Sequence, residues 1–355
     1  MKLYKEMLRK LAIVGLPLMA VVLVYTLIRG GADCFGKYYI LQSSSAVSQI
    51  PALRYYVFSG LLFALYGFSF QFSRSGSDVY HSLPVKRTEM YTAVFLATAT
   101  WMGATILLSE IEMLLIYLVS GCPFVPVYIP LSALYYFVAS MLVYAAAALG
   151  CALSGTVITA AASTGIILFL PRLMQFMFAR GIVERVPIIG WLDLGPWLDP
   201  STNAATGILT MMVRNVFNGR LITLPHALYS LVPTVVMLGA GLWLFRRRPS
   251  EFAHKNGGYP AWTIATGVLL AFAVMLPVTM NYQRLFSVYG AFLIAAALGV
   301  YVLYQLLASS KLKKAMLTLP YFLLAVLAVL GFNAVMIPAR TTCSIQRPPQ
   351  ARSLR

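Results

Sequence analysis

Residues 11–28 read LAIVGLPLMAVVLVYTLI, a run without one charged side chain. As an α-helix rising about 1.5 Å per residue it would be roughly 27 Å long, close to the hydrocarbon thickness of a bilayer. A transmembrane barrel strand would be about ten residues of alternating polarity, and this run does not alternate. In lipid every backbone polar group must be satisfied within the protein, so a continuous apolar run of this length reads as a helix. Pro17 lies inside it, which bundled membrane helices tolerate. No A-x-A exit follows, so the run reads as a retained span and not as a cleaved signal peptide.

Working outward, comparable runs lie at roughly 55–72, 91–112, 131–150, 154–171, 227–245, 261–280, 286–307 and 316–337. The whole chain agrees with them. Of its residues 60% are hydrophobic and 10% are charged, against about 25% charged in soluble domains. A soluble fold could not hide that apolar surface, so the solvent for most of the chain is lipid. The expected fold is an all-α membrane protein, a polytopic helical bundle of nine spans. Six spans fall in residues 1–250 and three in 251–337. The tail, 338–355, is rich in proline and arginine and reads as disordered.

Charge sets the orientation. With the N-terminus cytoplasmic, the inner segments hold Lys2, Lys5, Arg9, Lys10, Arg74, Lys86, Arg87, Arg246, Arg247, Arg248, Lys255, Lys311, Lys313 and Lys314. The short outer loops hold only Arg29, Lys37, Arg54 and Arg284. This is the positive-inside pattern. It also accounts for the net charge of +17 without nucleic acid. The basic residues sit at the ends of apolar runs, and no basic stripe interleaved with aromatics is present.

Chemistry is sparse. GADCFGKY, residues 31–38, approaches a phosphate-cradling loop, but Tyr38 stands where that loop needs Ser or Thr, and the stretch follows a membrane helix and not a strand. It reads as an outer turn. Cys34, Cys122, Cys151 and Cys343 are widely spaced, with no CxxC, and His81, His226 and His254 are far apart. No HExxH or GxSxG occurs, and nothing in the sequence calls for a cofactor or a metal.

The polar segments are therefore the informative ones. The inner stretch SRSGSDVYHSLPVKRTEM carries Arg74, Asp78, His81, Lys86, Arg87 and Glu89. Ser77 and Asp78 are candidate caps of a short helix that Pro84 would end. An amphipathic element followed by a basic turn suits a cytoplasmic partner, and equally a solvated loop. The N-terminal residues place Leu3, Met7, Leu8 and Leu11 at helical spacing, which suits a helix on the inner membrane surface before the first span. The long outer segment 172–226, with Trp191 and Trp197, reads as short interfacial helices. Glu110 and Glu112 end an apolar run that begins at Tyr91. A helix continued to Ser120 would exceed the bilayer core, so it either projects or breaks near the glutamates. An intramembrane carboxylate is a candidate polar site, and an interfacial position is the plain alternative.

The inner stretch also resembles a loop of known proteins. Arg74, Asp78, Tyr80-His81-Ser82-Leu83-Pro84 and Arg87 look like the R…D-x-Y-H-S-L-P-x-x-R loop after the second span of type-2 ABC transporter permeases, mostly from Firmicutes. LFRRRPSE, residues 244–251, is similar to the basic run with which those proteins leave a six-helix core. Leu149-Gly150 through Ser154-Gly155 is similar to their small-residue joint between spans four and five. The resemblance covers about residues 1–337. Ser75 and Gly76 stand where relatives often carry charge, and similar proteins often continue into a larger soluble region where this chain stops soon after its ninth span.

The resemblance implies a permease subunit of an ATP-driven transporter in a bacterial cell membrane. It would export an amphipathic or lipid-like cargo and pair with a second permease subunit, identical or not. A separate cytoplasmic ABC ATPase subunit would hydrolyse ATP, so the chain itself is not expected to be an enzyme. The expected ATPase contact is the N-terminal helix together with Arg74, Asp78, Val79, Tyr80, His81, Ser82, Leu83, Pro84, Lys86 and Arg87. Asp78, Lys86 and Arg87 would supply charge, and Val79, Tyr80 and Leu83 packing. A membrane sensor or scaffold that transports nothing is the alternative, with the same spans and basic loop. An intramembrane enzyme would need convergent polar groups within the spans, which the sequence barely offers.

Overall fold

The computed structural model describes residues 2–35, 50–82, 84–121, 128–183, 224–248, 259–277, 287–309 and 311–345. Among the described residues all regular structure is helical. The helices are α1 (Lys2–Phe35), α2 (Ile50–Gly67), α3 (Arg74–Ser82), α4 (Arg87–Ser120), α5 (Tyr128–Leu153) and α6 (Val157–Val183). They continue as α7 (Leu224–Arg247), α8 (Pro260–Met275), α9 (Val288–Ser309), α10 (Leu312–Leu317) and α11 (Phe322–Ile345). Each apolar run of the sequence overlaps one of the longer helices over most of its described residues. Among the described residues four stretches are long and apolar enough to cross a membrane: Lys2–Ala32, Arg87–Ser120, Tyr136–Leu153 and Val288–Ser309. Shorter apolar stretches lie on α2, α6, α8 and in Leu319–Phe332.

One expectation changes and one open alternative closes. No separate surface helix precedes the first span, because α1 runs unbroken from Lys2. Met7, Leu11 and Val22 form one buried stripe through it, and Tyr4 already meets Thr100 of α4 at 2.9 Å. The same packing that holds the span thus holds its charged beginning. The long helix through Glu110 and Glu112 does not break: α4 is continuous to Ser120 and stops at Gly121, whose φ of 65° is the left-handed conformation favoured by glycine. At about 1.5 Å per residue α4 is roughly 50 Å long, so it projects or tilts.

The chain divides into two compact units. One holds α1–α5, α6 as far as Thr164, and α7; the other holds α6 from Gly165 and α8–α11. Counting spans had placed all of α6 with the first group. The second unit packs Ile166 and Leu170 of α6 with Phe272 and Met275 of α8, Tyr301 of α9 and Val329 of α11.

In the first unit the helices alternate in direction. Trp101 Nε1 donates to the Leu8 carbonyl at 3.0 Å, and Gly30 lies against Met113, so α1 and α4 run the same way. Gly60 lies against Ser140 and Tyr144, and Ala64 pairs with Cys151, so α2 and α5 run the same way. Tyr91 reaches the Leu238 carbonyl and Arg87 that of Arg246, so α4 and α7 run oppositely. The starts of α1 and α4 therefore lie at one end of this unit with the ends of α2, α5 and α7.

Candidate functional site

That shared end gathers two of the polar segments singled out in the sequence, the start of α1 and the stretch around α3. After Gly67 the chain makes a single 3-10 turn, Ser69–Gln71, before α3. The α3 cap is Ser73, not the expected Ser77 or Asp78: its Oγ accepts from Gly76 N at 3.2 Å. Ser77 lies buried inside the helix and Asp78 is exposed on it. Gly76 is tightly bedded. A Cβ there would sit 2.5 Å from Ser73 Oγ and 3.2 Å from the Phe70 backbone, so the uncharged residue at this position lets α3 pack on the turn. Pro84 separates α3 from α4, as expected.

Beneath α3 lies an aromatic bed. Phe68, Phe70, Tyr91 and Phe245 are all buried, and the Phe68 and Tyr91 rings are 5.4 Å apart. Phe70 carries Tyr80 of α3 at 4.4 Å between ring centroids. The Lys10 ammonium sits 5.1 Å from the Tyr80 ring, 5.3 Å from Phe70 and 5.9 Å from Tyr66. One cation thus touches rings from α2, the turn and α3, an attraction of its charge to three ring faces. Burial, with Glu6 and Tyr66 nearby, holds the Tyr80 phenol above its ordinary range.

Two arginines close the assembly. Arg248, just past α7, is buried. It donates to Gln71 Oε1 at 2.8 Å, to the Cys151 carbonyl at 2.6 Å and to those of Ala152 and Gln71 at 3.4 Å. Cys151 and Ala152 belong to the last turn of α5, whose carbonyls have no intrahelical partner and carry the negative end of the helix dipole. A buried cation is sustained here by oriented carbonyls. Burial pulls its guanidinium down to about 10, so it stays charged at neutral pH. Arg87, at the start of α4, does the same for α7, donating to the carbonyls of Arg246 (3.2 Å) and Arg248. The small-residue joint is packed too. A Cβ on Gly150 would lie 2.9 Å from the Ala160 carbonyl, and Ser154 Oγ is 3.2 Å from Ser163 Oγ.

The expected contact residues therefore separate into two groups. Tyr80 and Arg87 turn inward, committed to Phe70 and to the end of α7. Asp78, Val79, Ser82, Pro84 and Lys86 are exposed. Arg74 and His81 lie on α3, and Leu83 is outside the described residues. So are residues 36–38 of the glycine-lysine turn, residues 184–223 of the outer segment and 346–355 of the tail. Glu110 is buried in α4, and Glu112, two residues nearer the far end, is half-buried. The sequence reading missed Gln71, and took Arg248 for one more anchor in a basic run. Among the described residues no group of three or more His, Cys, Asp or Glu side chains is placed to hold a metal. No family model matches the chain, nor does any curated protein or solved structure.

Proposed function

We propose that this chain is the membrane-spanning subunit of an ATP-driven transporter, and that the outward side of α3 is where a separate cytoplasmic ATPase subunit pushes. The observation that carries this reading is the bracing of α3. Its inner side is fixed through Tyr80 to Phe70 and Lys10, while Asp78, Val79 and Lys86 remain exposed. Val79 is 60% exposed, an apolar side chain beside an acid on a short rigid helix. A braced element transmits a push, whereas a solvated loop absorbs it. The push would pass through Lys10 to α1, and through Arg87 and Arg248 to α7, α5 and the end of α2.

Closure of an ATPase dimer would shift two permease subunits, identical or not, between states open to opposite sides of a bacterial cell membrane. Cargo must bind these states unequally for hydrolysis to drive transport. The predominantly apolar spans favour export of an amphipathic or lipid-like cargo. The test is co-purification from native membranes in mild detergent, comparing wild type with Asp78→Arg/Val79→Ser. Both positions are exposed, so the variant keeps its fold. An ATPase that accompanies wild type and is lost from the variant supports the reading. Wild type purified without any ATPase moves the chain to the sensor or scaffold class.

A further inference from the structure

The turn between α9 and α11 carries the other dense cluster of cations. Lys311, Lys313 and Lys314 are all exposed around α10, and so are Leu312 at 63%, Met316 at 58% and Leu317 at 69%. The element is not loose. Ala315 is buried, Tyr301 of α9 donates to the Thr318 carbonyl at 2.6 Å, and Ser309 Oγ donates to the Lys311 carbonyl at 3.2 Å. These contacts pin the backbone while six consecutive or near-consecutive side chains stay outside.

Among the described residues of their unit the lysines have no counter-charge. No Asp or Glu follows Glu251 in the sequence, and among the described residues of this unit there is no carboxylate at all. Exposed and unneutralised by any described neighbour in their unit, they call for an anionic complement. The exposed leucines and methionine decide its kind. An acidic soluble protein could meet the lysines, but the turn directly follows a membrane-length helix, where the adjoining apolar phase is lipid. An anionic phospholipid satisfies both, because lysine stems lie along apolar surface while their ammonium groups reach the phosphates. The position agrees: the turn directly follows α9, one of the helices long and apolar enough to cross a membrane.

We infer that residues 311–317 form a binding surface for anionic glycerophospholipid, the lysines on the headgroup phosphate and Leu312, Met316 and Leu317 in the adjoining acyl region. The surface is independent of the transporter reading. Full-length protein in neutral detergent is titrated with phosphatidylglycerol or phosphatidylcholine, and bound lipid is counted by native mass spectrometry. Wild type is expected to prefer phosphatidylglycerol by roughly fivefold per lysine, on the order of a hundredfold for all three. Lys311→Gln/Lys313→Gln/Lys314→Gln should abolish that preference, whereas Arg246→Gln/Arg247→Gln should keep it. Equal retention of both lipids by wild type, or a preference untouched in the triple variant, overturns the inference. Should the triple variant fail to fold, Lys313→Gln alone serves: an undiminished preference would again overturn it. Excess inorganic phosphate should not displace the phosphatidylglycerol, and displacement would mean a simple anion site in place of a lipid surface.

Discussion

Two basic turns of this molecule are built in opposite ways. Around residues 69–90 and 246–248 two arginines, Arg87 and Arg248, are turned inward and hold the ends of α7 and α5 by their carbonyls. Around 311–317 the lysines are turned outward, with no carboxylate in the described part of their unit. Both clusters look alike as positive charge at the end of an apolar run. The difference is chemical. A planar guanidinium presents five donors in a fixed fork and is weakly hydrated, so it can replace water at several carbonyls at once. An ammonium is compact and strongly hydrated, and on a flexible stem it is better suited to a headgroup surface.

The contrast predicts a graded series of stability losses, read by unfolding the purified protein in mixed micelles. Arg248→Met keeps the volume but strips the donor from Gln71 Oε1 and leaves the Cys151 carbonyl only the long bond from Ser154 N at 3.4 Å. Leaving buried acceptors unsatisfied costs about 1–3 kcal/mol, and the loss here should be near 3 kcal/mol. Arg248→Lys should recover only part of it, since one ammonium cannot reproduce the fork. Unchanged stability in Arg248→Met would mean that water reaches these carbonyls, and the bracing argument would fail with it.

Arg87→Gln comes next, at about 1.5 kcal/mol, because Arg87 is half-buried and its acceptors lie at a helix end nearer to water. Its loss should not add to that of Arg248→Met. Both act on the few residues after Phe245, and sites in one network couple. Strict additivity in the double variant would show that the two arginines hold separate structures. Lys10→Gln should cost about 1 kcal/mol, the usual worth of a partly desolvated cation over aromatic rings. Lys10→Arg should cost less. The sharper readout is hydrogen exchange in α3, which should quicken in Lys10→Gln and not at α9.

Much of this was legible in the sequence, for stated physical reasons. Continuous apolar runs permit only helices in lipid, and each run overlaps a helix, four of them long and apolar enough to cross a membrane among the described residues. The short helix before Pro84 was visible as an amphipathic stretch followed by a basic turn, and α3 occupies it. What the sequence hid was set by packing. Nothing local distinguishes Ser73 from Ser77 as a cap; the bedding of Gly76 against Phe70 selects it. Arg246, Arg247 and Arg248 are identical neighbours in sequence. Only the end of α7 at Arg247 puts two of them in the open and the third against α5. Tyr80 looked like a free anchor because its partners, Phe70 and Lys10, are ten and seventy residues away. The continuity of α1 was likewise hidden, since its charged beginning resembles a surface helix until Trp101 is seen bonded to Leu8.

The smallest expected effect is the most discriminating. Replacing Lys311, Lys313 and Lys314 together by Gln should change stability in neutral detergent by less than about 0.5 kcal/mol, as exposed substitutions do. The same change in the arginines should cost several times more. In bilayers containing phosphatidylglycerol the order should shift. Wild type should gain stability over its value in phosphatidylcholine, since a ligand that binds only the folded state stabilises it, and the triple variant should not. Added salt should erase the wild-type gain, because exposed charges are screened within about 10 Å at 0.1 M. It should leave the Arg248→Met loss nearly unchanged, because that arginine is buried and its acceptors are neutral. A single salt series on wild type and these two variants therefore separates a charge that folds the protein from a charge that meets the membrane.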